Sequence, residues 1–281
     1  MARASARRSE FHEVDTGRVE IRWDGPFATL LLDGVESSCL DTADPTVLEF
    51  EYMQHATCAL DAVIPEGAPV RAVHLGAAGC ALPLAWSRLR PESRQTAVEV
   101  DAALAAGVRE WFDLPRAPRL AIRVGDGRAV LESLRDGSAD VVVRDAFASG
   151  VVPSHMATRE FAEVARAKLK PCGLLLLNSA HGGGADARAE IATISSVFED
   201  VCSIQDPKVG RSGRRGNVLV VAHDGPRGSY PVNELDRRLR RLPLPARTTS
   251  GDALRRWCAG APVLRDPRID EGEAAAPDGA E

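Results

Sequence analysis

From residue 70 to residue 222, short apolar runs alternate with amphipathic stretches, the pattern of a parallel sheet with helices on both faces. The runs predict strands near Arg71–Leu75, Thr96–Val100, Ala121–Val124, Val141–Arg144, Leu174–Asn178, Cys202–Ile204 and Val218–Ala222. Helices are predicted over Ala102–Trp111, Arg128–Leu134, Thr158–Leu169 and Ala185–Phe198, with Lys170-Pro171-Cys172-Gly173 as a helix-to-strand turn. Ahead of this domain, Val19–Trp23 and Ala28–Leu32 flank Asp24-Gly25-Pro26 as a hairpin, and Asp33-Gly34 marks a second turn. Asp44-Pro45 reads as a helix start, with Asp44 as cap and Val47, Phe50, Tyr52, Met53 and Ala56 as its apolar positions. The expected organisation is a disordered 1–17, a small β-hairpin and helix region over 18–64, an α/β domain over 65–225, and helices with an acidic disordered tail over 226–281.

Composition narrows the class without naming a function. At 281 residues, with 44% hydrophobic and 27% charged, the chain buries an ordinary globular core. A net charge of -5 gives no electrostatic case for nucleic acid or an anionic membrane. The basic start, Met1–Glu10, lacks an apolar segment after it, and the run around Leu174–Leu177 is too short to span a bilayer. A cytoplasmic protein is expected. The six cysteines are scattered, with no Cys-x-x-Cys and no histidine at ligand spacing, so reduced thiols are expected and no metal. The arginines interleaved with leucines over Asn233–Leu242 read as a solvated or packed helix face, and Ser250–Cys258 as one more short helix.

The chemistry concentrates at four strand ends: His74-Leu75-Gly76-Ala77-Ala78-Gly79, Val98-Glu99-Val100-Asp101, Val124-Gly125-Asp126-Gly127 and Val143-Arg144-Asp145-Ala146. A small-residue turn followed by an acid about 20 residues on suits a nucleotide-type ligand across the carboxyl ends of parallel strands. Two further acids at the next strand ends move the pattern from a nicotinamide fold towards an adenosyl-sulfonium (AdoMet-type) one. Glu99 can accept from two vicinal ribose hydroxyls; its competing role, capping the next helix, falls better to Asp101. Asp126, between two glycines, can accept from an adenine exocyclic amine and can equally cap the helix after it. Asp145 faces the cleft as a base or a cation ligand, unless it pairs with Arg144. Tyr52 and His55 have simpler readings as a core aromatic and a satisfied histidine, and His181 as a loop histidine. Ser179 and Cys80 have no partners that would make them nucleophiles.

Over roughly residues 19–222 these features resemble the spermidine/spermine synthase (polyamine aminopropyltransferase) family. Leu32-Asp33-Gly34, Glu49-Phe50-Glu51-Tyr52, the Gly76 turn, Val98–Asp101, Gly125-Asp126-Gly127, Asp145 and the run from Thr158 to Gly173 carry the likeness. The resemblance implies an AdoMet-type Rossmann domain with a seven-stranded, mostly parallel sheet, a small N-terminal β-rich lid and a homodimer. It implies decarboxylated AdoMet or AdoMet as co-substrate and a small-molecule amine as acceptor. It places Asp145 and Tyr52 in catalysis, and Gly76, Glu99, Asp126 and Gly127 at the nucleoside. The chain departs from the family at its amine-binding positions. Gly79 stands where the family has the acid for the aminopropyl amine, and Ala148 replaces the second acid of Asp-x-x-Asp. Ser37 replaces a glutamine, and Met53-Gln54 replaces the Gln-Glu or His-Glu pair. Each lost acid removes a charge-assisted hydrogen bond of ~1.5–3 kcal/mol to an ammonium group. Two other functions stay open: an AdoMet-dependent methyltransferase of a small molecule, and a non-catalytic adenosyl-nucleoside-binding relative.

Overall fold

Two sheets carry the chain in the computed structural model, which describes residues 8–148, 150–205, 209 and 215–267. The first is a four-stranded antiparallel meander of β1 (Arg8–Val14), β2 (Gly17–Asp24), β3 (Phe27–Leu32) and β4 (Val35–Asp41). The β3–β4 turn needs left-handed backbone at both central positions, which Asp33 (φ 48°) and Gly34 (φ 81°) supply.

After α1 (Glu51–Val63) strands and helices alternate: β5 (Arg71–Leu75), α2 (Ala81–Leu89), β6 (Arg94–Glu99), α3 (Ala102–Trp111), β7 (Leu120–Val124) and α4 (Gly127–Glu132). Then come β8 (Ala139–Arg144), α5 (Arg159–Lys168), β9 (Leu169–His181), α6 (Ala187–Ser195), β10 (Asp200–Gln205) and β11 (Gly216–His223). The chain continues through α7 (Val232–Leu239), β12 (Arg247–Ser250) and α8 (Gly251–Trp257). The second sheet has the order β7-β6-β5-β8-β9-β11-β10-β12. Strands β5 to β9 pair in parallel, and β11 runs antiparallel to both β9 and β10. This is the methyltransferase-like Rossmann arrangement expected from the sequence.

Side chains alternate across this sheet with a period of two, and that alternation divides the core. Val141 and Val143 of β8, with Leu174 and Leu176 of β9, share a cluster with α1, α2, α3, α7 and the inner face of the small sheet. Val142, Leu175 and Leu177 face the opposite way, into α4, α5, α6 and α8.

Several expectations change. The seven predicted strands are all present, but β12 pairs with β10 and makes the sheet eight-stranded. Its Arg-Thr-Thr-Ser sequence has no apolar alternation, so nothing in the pattern marks it. Disorder over 1–17 fails for residues 8–17: β1 pairs with β2 along its length, and Asp15 Oδ2 accepts from the amides of Ala102 (3.0 Å) and Ala103 (3.1 Å) at the start of α3. Residues 1–7 and 268–281 lie outside the described residues. Asp266, expected in the disordered tail, is instead paired with Arg128. The first helix begins at Glu51, not Pro45, because Asp44 Oδ1 accepts from the Thr46 amide (3.0 Å) and hydroxyl (2.6 Å) and closes a local turn instead. All six cysteines are free, with Cys39, Cys80 and Cys202 buried and Cys172 exposed. Among the described residues no helix is long and apolar enough to cross a membrane.

Candidate active site

Backbone hydrogen bonds stitch the four strand ends into one row along the carboxyl edge of the main sheet. Asp145 N donates to Leu75 O (2.8 Å), Gly76 N to Val98 O (3.0 Å) and Gly125 N to Glu99 O (2.9 Å). Gly76 sits at φ 81°, and a Cβ there would meet Ala146 Cα at 2.5 Å and Asp145 O at 2.6 Å. Only glycine lets this turn lie against the end of β8.

Alternation decides what Asp145 meets. Arg144 follows Val142 onto the α6 face, where it is wholly buried against Glu190 and donates to Ser179 Oγ at 3.1 Å. Asp145 therefore turns to the α1 face. There the Tyr52 hydroxyl donates to its Oδ2, and Asn178 Nδ2 donates to its Oδ1 at 2.8 Å. Register explains the second contact: Arg144 lies opposite Leu177, so the next residues, Asp145 and Asn178, come together. Burial raises the Asp145 carboxyl to about 6, outweighing the two donated hydrogen bonds that lower it. Burial, then the Asp145 charge, pushes the Tyr52 phenol well above its usual value, so it stays a donor. Asn178 Oδ1, also buried, finds no partner among the described residues. The pairing of Asp145 with Arg144 considered from sequence does not occur.

Glu99, at the end of β6, is not a free carboxylate. Its Oε2 accepts from Ala78 N (3.0 Å) and its Oε1 from Asp101 N (3.2 Å), which ties the glycine turn to the second strand end. Burial raises its pKa despite those bonds. Asp101 caps α3 as expected, accepting from Leu104 N at 2.7 Å, and also holds Thr16 of the small sheet. Asp126, one strand further on, caps α4 through Ala129 N (2.9 Å), while its Oδ2 lies 2.8 Å from His155 Nε2. Burial opposes its ionisation, but the hydrogen bonds from Ala129 and His155 prevail and hold it below the usual carboxylate range. Gly127 packs against Met156. His55 is buried, and desolvation lowers its imidazole to about 4, so it is neutral at physiological pH. His181, expected in a loop, instead ends β9 opposite Gly216 of β11, with its ring tilted against Trp257 and 3.6 Å from Asp186.

The structure thus brings Tyr52, Gly76 and Asp145 together, joins Glu99 to them through the turn, and places Asp126 and Gly127 further along the same edge. Sequence reasoning missed Asn178 and His155. Asn178 was findable, as the polar residue ending an apolar strand beside Asp145; His155 carries no local signal. It also missed the reason for Gly79. A Cβ there would meet Ser38 Cβ at 2.8 Å and Ser38 Oγ at 2.9 Å, so β4 of the small sheet leaves no room for a side chain. Ser38 Oγ is buried with no partner among the described residues. Among those residues no cluster of His, Cys, Asp or Glu side chains is placed to hold a metal ion.

No family model matches the chain. A probable spermidine synthase from Corynebacterium glutamicum aligns with a TM-score of 0.85 and 33% identity, covering 94% of this chain and 98% of its own. A polyamine aminopropyltransferase of Vibrio vulnificus is 26% identical over 166 residues, which is 58% of this chain and 54% of that protein. The chain therefore spans about half the length of that curated relative. A spermidine synthase in complex with the transition-state analogue AdoDATO shares the fold, with a TM-score of 0.57 and 17% identity over 83% of this chain and 77% of its own.

Proposed function

We propose that this chain, which belongs to the spermidine synthase family, takes an adenosyl sulfonium as donor and transfers its aminopropyl group to a small amine. The Asp145 cluster carries the reading. A carboxylate at the end of a central strand, fixed by Tyr52 and Asn178 and raised to about 6, is a base poised to ionise just below neutral pH. The amine nitrogen attacks the propyl carbon bonded to sulfur, and a C–N bond forms as the C–S bond breaks. The electron pair stays on sulfur, methylthioadenosine leaves, and the amine's proton passes to Asp145. The sulfonium is already a good leaving group, so orientation supplies most of the rate. Glu99 would accept from the ribose hydroxyls and Asp126 from the exocyclic amine of adenine. The AdoDATO bound by the structural neighbour supports this class of donor.

One observation favours a second reading, methyl transfer from intact AdoMet. The contact of Ser38 with Gly79 keeps an acid out of the position that would select an ammonium and repel a carboxylate. Calorimetry with decarboxylated AdoMet, AdoMet and methylthioadenosine separates the two readings, with product assays for methylthioadenosine and S-adenosylhomocysteine over a panel of amines. Intact AdoMet is expected to bind within about tenfold of the decarboxylated form, a gap of ~1.4 kcal/mol. A several-hundredfold preference for the decarboxylated form would rule out methyl transfer. Glu99→Ala should abolish nucleoside binding in a folded protein, and unchanged affinity would overturn the site.

A further inference from the structure

The last described stretch of the chain, residues 258–267, has no regular secondary structure after α8, yet it is bonded to three helices in turn. Leu264 N donates to Thr193 Oγ1 of α6 (2.8 Å), and Leu264 O accepts from Arg159 N at the start of α5 (2.9 Å). Asp266 N donates to Glu160 Oε2 (2.9 Å), and the Asp266 carboxylate takes both terminal nitrogens of Arg128 on α4, each at 2.7 Å. The same guanidinium donates to the backbone carbonyl of His155 (3.0 Å), and the His155 ring holds Asp126 Oδ2. A continuous chain of contacts therefore runs from Asp266 through Arg128 and His155 to Asp126.

Asp126 needs such support. It stands between two glycines, Gly125 at φ 152°, and its side chain is 44% exposed, so neither backbone nor packing fixes its outer oxygen. The helix cap holds only Oδ1. His155 lies in a single turn of 3-10 helix (Ser154–Met156), and Arg128 is what anchors its carbonyl. A bidentate guanidinium–carboxylate pair is planar and directional, so it sets the position of Arg128 and not merely its charge.

We infer that this C-terminal strap is a positioning device for the nucleoside: Asp266 and Arg128 act through His155 to aim Asp126 at the exocyclic amine of a purine. The inference rests on the assignment of Asp126 to adenine proposed above. A carboxylate aimed in this way rewards a purine that carries the amine; one left to rotate loses that discrimination.

The test uses the full chain and two probes, methylthioadenosine and its analogue with an unsubstituted purine. Wild type should prefer the amino compound by about tenfold or more in calorimetry. Asp266→Asn removes the charge at constant shape and should shrink that preference to about twofold or less. Arg128→Lys keeps the charge but loses the fork and should behave alike, whereas Asp266→Glu should restore most of the preference. The NMR signal of the His155 ring should move in ligand-free Asp266→Asn while those of His74 and His223 stay in place. General destabilisation would lower the bound stoichiometry without changing the ratio of affinities. Full preference in Asp266→Asn, with the His155 signal unmoved, would overturn the strap and leave the adenine assignment standing. A wild type that binds neither probe would remove that assignment, and the strap's role with it.

Discussion

Arg144 and Asp145 are neighbours in sequence and opposites in fate. Each has a partner on a helix and a partner on β9: Glu190 and Ser179 for Arg144, Tyr52 and Asn178 for Asp145. The difference lies in charge. Arg144 meets a carboxylate, so its charge is balanced inside the protein. Asp145 meets only neutral donors, so its charge stays available and burial raises its pKa to about 6. One side of β8 is closed and structural; the other is hydrogen-bonded but not neutralised, which is what a base requires.

Breaking the closed side should have the largest effect. Glu190→Ala leaves a wholly buried guanidinium without its counter-charge and should cost ~3–5 kcal/mol of stability in urea unfolding. A loss under ~1 kcal/mol would mean that Arg144 is not held by charge balance, and the contrast would collapse. On the open side, Asp145→Asn should lower turnover roughly 10²-fold or more and leave nucleoside affinity near normal. Turnover like wild type would make Asp145 structural.

The same substitution sharpens the contrast through pH. Asp145 titrates near 3.8 when unfolded and at about 6 when folded, so the folded state holds its proton more tightly. Its ionisation therefore weakens folding as pH rises through that window, by nothing below it and by the full amount above it. Asp145→Asn should be more stable than wild type at neutral pH by about 1–3 kcal/mol, and the gap should vanish in acid. Asn178 can turn its unpartnered carbonyl towards the new amide. Thermal melts of both proteins across the window check this, and a gap independent of pH would contradict it. The smallest effect belongs to Tyr52→Phe. It removes a donor that lowers the Asp145 pKa, so the acid limb of the activity profile should move to higher pH. Turnover should fall about tenfold, the worth of one hydrogen bond to a charged group.

The central strands were legible because each is an apolar run buried on both faces, and the acids at their ends follow from where those runs stop. β1 was not, because Arg8–Val14 lacks apolar alternation: its half-buried face carries Glu10 and His12 beside Val14, and Phe11 lies on the exposed face. The first helix was misplaced because Asp44-Pro45 is a sound cap signal in isolation, and only the local turn at Thr46 overrides it. Tyr52 was legible through family likeness alone; its spacing marks it as core, and it is in fact buried as well as bonded to Asp145. Asn178 shows locally as a polar residue ending an apolar strand, but its contact with Asp145, like His155 and the Arg144–Glu190 pair, joins residues far apart in the chain, which no local pattern encodes.

The fit of Ser38 against Gly79 has a consequence for how this sequence can evolve. Any side chain at position 79 meets the Cβ of Ser38, which a strand residue cannot swing aside. The lower-cost route to an acid at position 79 passes first through glycine at position 38. The reverse order passes through an overpacked intermediate costing ~1–3 kcal/mol. The two positions are thus epistatic: the cost of a side chain at position 79 depends on what stands at position 38.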